Sequence, residues 1–198
     1  DFFITIIKRK STQKFLYLKI IVSCLPAVIV GFFIYNYFLK YFRDIHLIAY
    51  SCIFFGVLLY LSDKYNSSKK IWTELTFSNA FIIGICQCFA FVPGASRAGV
   101  TIMGARLLGF SRESAAVYSM LLSIPIILGS FILALPNFLE ESLNTYNLIQ
   151  ILVSSLISFI TAFLSIKFMI KLVRKSNYNL FVVYRILLGI VILIWIYI

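Results

Sequence analysis

Five apolar stretches divide this chain, and they fix its fold class before any other feature does. They cover residues 15–39, 45–62, 111–135, 148–166 and 180–198. At about 1.5 Å per residue, each comes close to the roughly 30 Å of a hydrocarbon layer. Inside lipid every backbone amide must bond within the protein, which leaves helices and closed barrels. Runs this long are helical, because a barrel strand needs only about ten residues of alternating character. The expectation is an all-α integral membrane protein, a polytopic helical bundle forming a single membrane domain over residues 1–198.

Composition supports this: 62% of the residues are hydrophobic and 13% charged, where soluble domains sit near a half and a quarter. The formal net charge is +11. Its lysines and arginines gather in short loops beside apolar runs, around Lys8, Lys64 and Lys171. That is the positive-inside pattern, and it points to membrane lipids, not nucleic acid, as the partner of this charge. These loops are placed on the cytoplasmic side, with the acidic Glu140 loop and the Arg43 loop outside. Cys24, Cys52, Cys86 and Cys88 all lie in apolar runs and read as small buried hydrophobes, with no metal site among them. The sole histidine, His46, reads as a solvated or interfacial loop residue.

One segment breaks the pattern. Residues 79–92 are apolar but make only about 21 Å of helix, and residues 100–109 make less. Between them lies Pro93-Gly94-Ala95-Ser96-Arg97-Ala98-Gly99. Two half-length helices joined by a turn predict a re-entrant helix–turn–helix hairpin over about 79–109, leaving and returning on one side. After it, Ser111 reads as a helix N-cap, with Glu113 in the first turn. Ser154, Ser158, Thr161 and Ser165 share one helical face of the kind that lets membrane helices approach closely. Arg185, near the start of the last span, is expected to snorkel to the interface.

The turn has the parts of an anion site. Gly94 and Gly99 let the backbone curl. A helix expected to begin near Val100 aims its N-terminus into the turn. Arg97 brings a permanent charge whose fork suits two phosphate oxygens. Ser96 and Thr101 add hydroxyls. An ionisable residue at membrane depth marks a functional site, so Ser96 and Arg97 are the candidate catalytic residues. The competing reading is that Arg97 merely sits at a helix boundary and that the glycines serve packing. The segment is not a Walker loop, because G-x-x-x-x-G-K-[ST] is absent.

These residues also carry a resemblance. G-x-x-Q-x-x-A-x-x-P-G-x-S-R-x-G-x-T from Gly84 to Thr101 is followed by L-L-G-x-S-R-x-x-A from Leu107 and S-x-L-L-S-I-P from Ser119. The order resembles the second signature region of the undecaprenyl-diphosphatase family, the bacitracin-resistance membrane phosphatases. The stretch from Pro26-Ala27 to Gly31 and the pair Tyr184-Arg185 are similar too. Ala95 and Ala98 depart from it, standing where the family often has Thr and Ser.

The resemblance implies hydrolysis of undecaprenyl diphosphate to undecaprenyl phosphate, which recycles the lipid carrier of bacterial cell-wall synthesis. It implies a multi-pass protein of the bacterial inner membrane, built from interlocked inverted repeats, with the site open to the periplasm. Gly94, Ser96, Arg97, Gly99, Thr101 and Gln87 are then expected to bind the diphosphate. A homodimer is expected as well.

A divalent cation, Mg or Ca, is also implied, but the family's glutamate-rich half-helix and Ser-Gly-His turn have no match here. None of the acidic residues Asp1, Asp44, Asp63, Glu74, Glu113, Glu140 and Glu141 reads as lying in the apolar body of a span, Glu113 being in the first turn after the Ser111 cap, so no metal ligand is assigned. Together with the start at Asp1 and the apolar stub at residues 2–7, this predicts a chain lacking the N-terminal repeat. The alternatives are a lipid or anion transporter, whose broken helices also aim N-termini at anions, and a catalytically inactive remnant.

Overall fold

A computed structural model describes residues 15–37, 44–66, 69–141 and 145–198, and the structural statements below concern these. They form α1 (Leu16–Tyr37), α2 (Ile45–Lys64), α3 (Phe77–Cys88), α4 (Arg97–Leu107), α5 (Arg112–Glu141), α6 (Thr145–Lys175) and α7 (Asn179–Tyr197). Single 3-10 turns at Trp72–Glu74 and Phe89–Phe91 flank α3. The stub at residues 2–7, the Lys8 loop and Arg43 fall outside the described residues.

Helix starts follow local hydrogen-bond chemistry. Asp44 accepts the His46 N–H at 2.9 Å and Thr76 accepts the Asn79 N–H at 3.1 Å. Ser111 accepts the Ser114 N–H at 3.2 Å, as an N-cap should. Five helices, α1, α2, α5, α6 and α7, are long and apolar enough to cross a membrane. The protein is an all-α, multi-pass membrane protein.

Helix ends differ from the apolar boundaries. Helix α5 runs through Pro125 and Pro136 to Glu141, so Glu140 and Glu141 form its last turn and not a loop. Helix α6 starts at Thr145 and ends at Lys175, taking in the basic residues that close the span. Hydropathy marks where lipid stops, whereas a helix continues until its backbone finds other partners. His46 belongs to the first turn of α2, its ring against Tyr197 at 6.0 Å, and not to a loop.

Helices α3 and α4 have 12 and 11 residues, about 18 and 17 Å of rise. Neither can span, and together they make the helix–turn–helix hairpin. Helix α4 is the buried axis of the molecule: every residue from Gly99 to Arg106 is buried. It packs against α2, α3 and α5, while α1 covers α3 and α7 covers α2. Ile83, Phe110, Tyr118, Leu122 and Tyr178 fill the space around it.

The outer surface is apolar, as a lipid-facing surface is. Helix α6 carries this furthest: residues 152–168 are exposed throughout. The expected small-residue contact is not made among the described residues. Ser154 and Thr161 instead bond the carbonyls of Gln150 and Ile157 in their own helix, at 2.7 and 2.8 Å.

Candidate functional site

The hairpin tip is held in a conformation few sequences could adopt. Gly94 has φ +88°, and a Cβ there would lie 2.5 Å from the Ile48 carbonyl oxygen of α2. No other residue satisfies both conditions. Ser96 is the only non-glycine residue with positive φ among those described, at +61°. A strained backbone of this kind costs of order 1–3 kcal/mol and persists only where its surroundings impose it. Here the gain is a cap: Ser96 Oγ accepts the Gly99 N–H at 3.3 Å and its carbonyl accepts the Val100 N–H at 3.0 Å. Helix α4 therefore begins at Arg97, three residues before the expected start at Val100, because Ser96 and not Gly99 closes the turn. Of the first-turn N–H groups, those of Arg97 and Ala98 are left facing outward along the helix axis.

Two guanidinium groups meet this first turn. Arg97 arises from it and lies within electrostatic range of the Cys24 thiol on α1. Its Nε and Nη2 are buried and bond no protein group. Arg185 comes from α7. It is 7% exposed, so the snorkelling expectation is corrected. One nitrogen, Nη2, donates to the carbonyls of Gly94 and Ala95, both at 2.6 Å. The other, Nη1, is buried without a partner. It lies 2.5 Å from where a Cβ on Gly99 would stand, so glycine at 99 makes room for it. The carbonyls of the turn draw Arg185 inward, since a guanidinium with two carbonyl acceptors on Nη2 is better satisfied than a lone charge in lipid.

Neither arginine has a carboxylate partner among the described residues; the ion pairs there involve Arg106, Arg112 and Arg174. Gln87, on α3, is 2% exposed, with both Oε1 and Nε2 unbonded. Buried polar atoms are normally paired, and each exception needs an explanation. Five such atoms on Gln87, Arg97 and Arg185 are the strongest chemical feature of the molecule.

The remaining anticipated residues are placed differently. The Thr101 hydroxyl is 2.7 Å from Ser119 Oγ on α5 and 2.9 Å from the Arg97 carbonyl, so it joins α4 to α5. The Gly99 N–H is taken by Ser96. Cys52 on α2 points its thiol at the Gly94 carbonyl, 3.5 Å away. Cys24 and Cys52 are buried, and all four cysteines are free.

A second polar centre lies at the far end of α4. Asp63, in the last turn of α2 and 4% exposed, is 3.0 Å from Arg106 Nε and 2.8 Å from Arg112 Nε. The Tyr178 N–H donates to the same carboxylate at 3.4 Å. Asn66 exchanges bonds with Arg106, donating to its carbonyl and accepting from its guanidinium. Burial, with the Asp63 charge adding to it, pushes the Tyr178 phenol up, and it donates to the Arg112 carbonyl at 2.7 Å. No three His, Cys, Asp or Glu side chains among the described residues come together as a metal group.

Sequence reading singled out Arg97, Ser96 and Gln87; it named Arg185 only within the Tyr184-Arg185 resemblance and read it as interfacial, and it left Asp63 outside the spans. The available signal was periodicity. Arg185 and Tyr178 are seven residues apart and share a face of α7, which the intervening Val182 shows to be inward.

Comparison with known proteins adds to this. A family model described as bacitracin resistance protein BacA matches residues 2–191. The chain is 40% identical over 179 residues to an undecaprenyl-diphosphatase of Chromohalobacter salexigens, covering 89% of this chain and 66% of that protein. It is 38% identical over 190 residues to an undecaprenyl-diphosphatase of Pelagibacter ubique, covering 95% and 73%. A Fusobacterium nucleatum undecaprenyl-diphosphatase is 38% identical over 199 residues, with 96% and 74% covered. The chain thus spans about two thirds to three quarters of the length of these curated relatives.

Proposed function

This chain belongs to the bacitracin resistance protein BacA family, and from that membership we propose that it binds undecaprenyl diphosphate and serves its hydrolysis to undecaprenyl phosphate and phosphate. The proposed setting is the bacterial inner membrane, where the reaction returns the lipid carrier to cell-wall synthesis. The observation that carries the reading is a pair of guanidinium groups at the first turn of α4, Arg185 buried and Arg97 half-buried, whose inward N–H atoms are unbonded and which have no counter-charge among the described residues. Isolated buried cations are costly, and a diphosphate at this turn removes that cost.

In this reading Arg97 grips two oxygens of one phosphate with its fork, and Arg185 Nη1 meets the diphosphate from the other side. The Arg97 and Ala98 N–H groups, at the positive end of α4, complete the cradle. Gln87 bonds an oxygen or the attacking water. Ser96, Gly94, Gly99 and Thr101 shape the cradle: two leave room, one caps and one ties α4 to α5. In the reaction water adds to the terminal phosphorus, the P–O–P bond breaks and undecaprenyl phosphate leaves. Such transfer needs positioning and neutralisation of charge more than covalent chemistry.

The Mg or Ca ion that the family resemblance implies does not fit the residues described here. Asp63 is bonded to two arginines and Glu113 to Arg174 at 2.6 Å. No step is routed through a metal. We propose that carboxylate ligands belong to the part of the relatives this chain does not match. A homodimer in the membrane is likewise a proposal.

Phosphate release from undecaprenyl diphosphate, measured beside retention of the lipid, tests the reading. Arg97→Ala is expected to lose lipid binding by about tenfold to a hundredfold, the worth of one to two charged hydrogen bonds, and release with it. Full binding and release by Arg97→Ala would overturn it. Transfer of intact diphosphate lipid between leaflets, with no phosphate released, would favour the transporter.

A further inference from the structure

We propose that Asp63 is a positioning residue that sets the separation of Arg97 and Arg185 from the opposite end of the hairpin; this rests on the diphosphate reading of the turn.

Helix α4, R-A-G-V-T-I-M-G-A-R-L, carries glycines at 99 and 104. Each interior glycine costs a helix about 1 kcal/mol relative to alanine. An 11-residue helix of this composition does not hold its place by propensity. It is instead held at both ends. At the tip, Arg185 bonds the Gly94 and Ala95 carbonyls. At the base, Arg106 ion-pairs with Asp63, its Nε 3.0 Å from the carboxylate but without hydrogen-bond geometry, while Nη1 donates to the Phe110 carbonyl at 2.6 Å and Nη2 to the Asp63 carbonyl at 3.2 Å and to the Asn66 carbonyl.

The same carboxylate reaches the other arginine. Asp63 Oδ2 accepts the N–H of Tyr178, the residue that opens α7. Arg185 follows seven residues later on the same face of that helix. Arg112, at the start of α5, holds Asp63 through Nε at 2.8 and 3.0 Å. One buried side chain on α2 thus fixes the helix that carries Arg97 and the helix that carries Arg185. It touches neither arginine.

A ligand with two phosphates feels their separation, because each guanidinium must meet oxygens on one small group. Once either arginine is gone, there is no separation left to set. A residue that only stabilises the fold would weaken binding equally whether or not Arg97 is present. A positioning residue would not.

The test measures inorganic pyrophosphate affinity and thermal unfolding of the full chain in detergent, for wild type, Asp63→Asn, Arg97→Gln and the double variant. Asp63→Asn is expected to weaken pyrophosphate about tenfold on its own, the size of one charged contact, and to change nothing further when Arg97 is Gln. Its effect on unfolding temperature should be the same in both backgrounds. Wild-type affinity in Asp63→Asn, or an equal loss in both backgrounds, overturns the positioning role while leaving the cradle intact. Wild-type affinity in Arg97→Gln removes the cradle reading and this proposal with it. If Asp63→Asn does not fold, Arg112→Gln replaces it, since Arg112 is 39% exposed at its side chain and leaves the Asp63–Arg106 pair in place. A roughly threefold loss that depends on Arg97 supports the proposal, and no loss overturns it.

Discussion

An arginine at membrane depth must bond something, and the two at this turn do so differently. Arg185 already has the Gly94 and Ala95 carbonyls, whereas Arg97 has no protein acceptor for Nε or Nη2. Arg185→Lys should therefore act on the protein before any ligand is added. Nη2 alone holds both carbonyls, and a lysine, on a shorter stem, does not place its ammonium where Nη2 stands and has no second nitrogen at the Nη1 position. A stability loss of about 1–3 kcal/mol is expected, read as a lower unfolding temperature in detergent, with pyrophosphate affinity reduced as well. Arg97→Gln should lose affinity with little change in unfolding temperature. Gly94→Ala meets both a positive φ and the Ile48 carbonyl, so we expect at least about 1–3 kcal/mol of destabilisation. An unfolding temperature unchanged from wild type would show that the turn is not held as described. Arg97 was legible in the sequence because it sits in a break between apolar runs. Arg185 was not, because its acceptors lie 90 and 91 residues away in the chain. A lone arginine near a helix start gives no sign of a partner at that distance.

At the scale of elements, length arithmetic identified the hairpin, and helix chemistry moved its boundary. Apolar counting began the second half-helix at Val100, while the Ser96 cap begins it at Arg97. The shift matters, because it places Arg97 in the first helical turn. It also turns Thr101 toward Ser119 on α5 and away from the tip. Thr101→Val should cost about 1 kcal/mol, the net worth of one buried hydrogen bond, and Ser119→Ala a similar amount. The double variant should lose less than the sum, because both remove one bond. Additive losses in a denaturation cycle would contradict that contact. The Asp63 centre escaped sequence reading for a related reason. Asp63 was assigned to a polar loop by its neighbours, yet it is the buried last turn of α2, and its two arginines come 43 and 49 residues later.

On the scale of the whole molecule, apolar run length sufficed to give the class and all five long helices. It could not foresee which helix would stand apart. Helix α6 has no buried residue in its apolar window, and its Ser154 and Thr161 hydroxyls bond carbonyls of their own helix. A lipid-facing helix of this kind predicts that Phe159→Arg raises the cost of insertion by about 2.5–3.5 kcal/mol while Phe159→Leu is silent; glycosylation-tagged insertion reporters would read the difference. Equal insertion of both variants would mean that α6 does not face lipid. The fold as a whole serves one arrangement, a short capped helix whose tip presents two uncompensated arginines. The most direct measurement of that claim is a titration of the purified protein with inorganic pyrophosphate, competed by undecaprenyl diphosphate. Saturable binding that undecaprenyl diphosphate displaces, and that Arg97→Gln weakens by tenfold or more, is the predicted result; equal affinity in wild type and Arg97→Gln would contradict it.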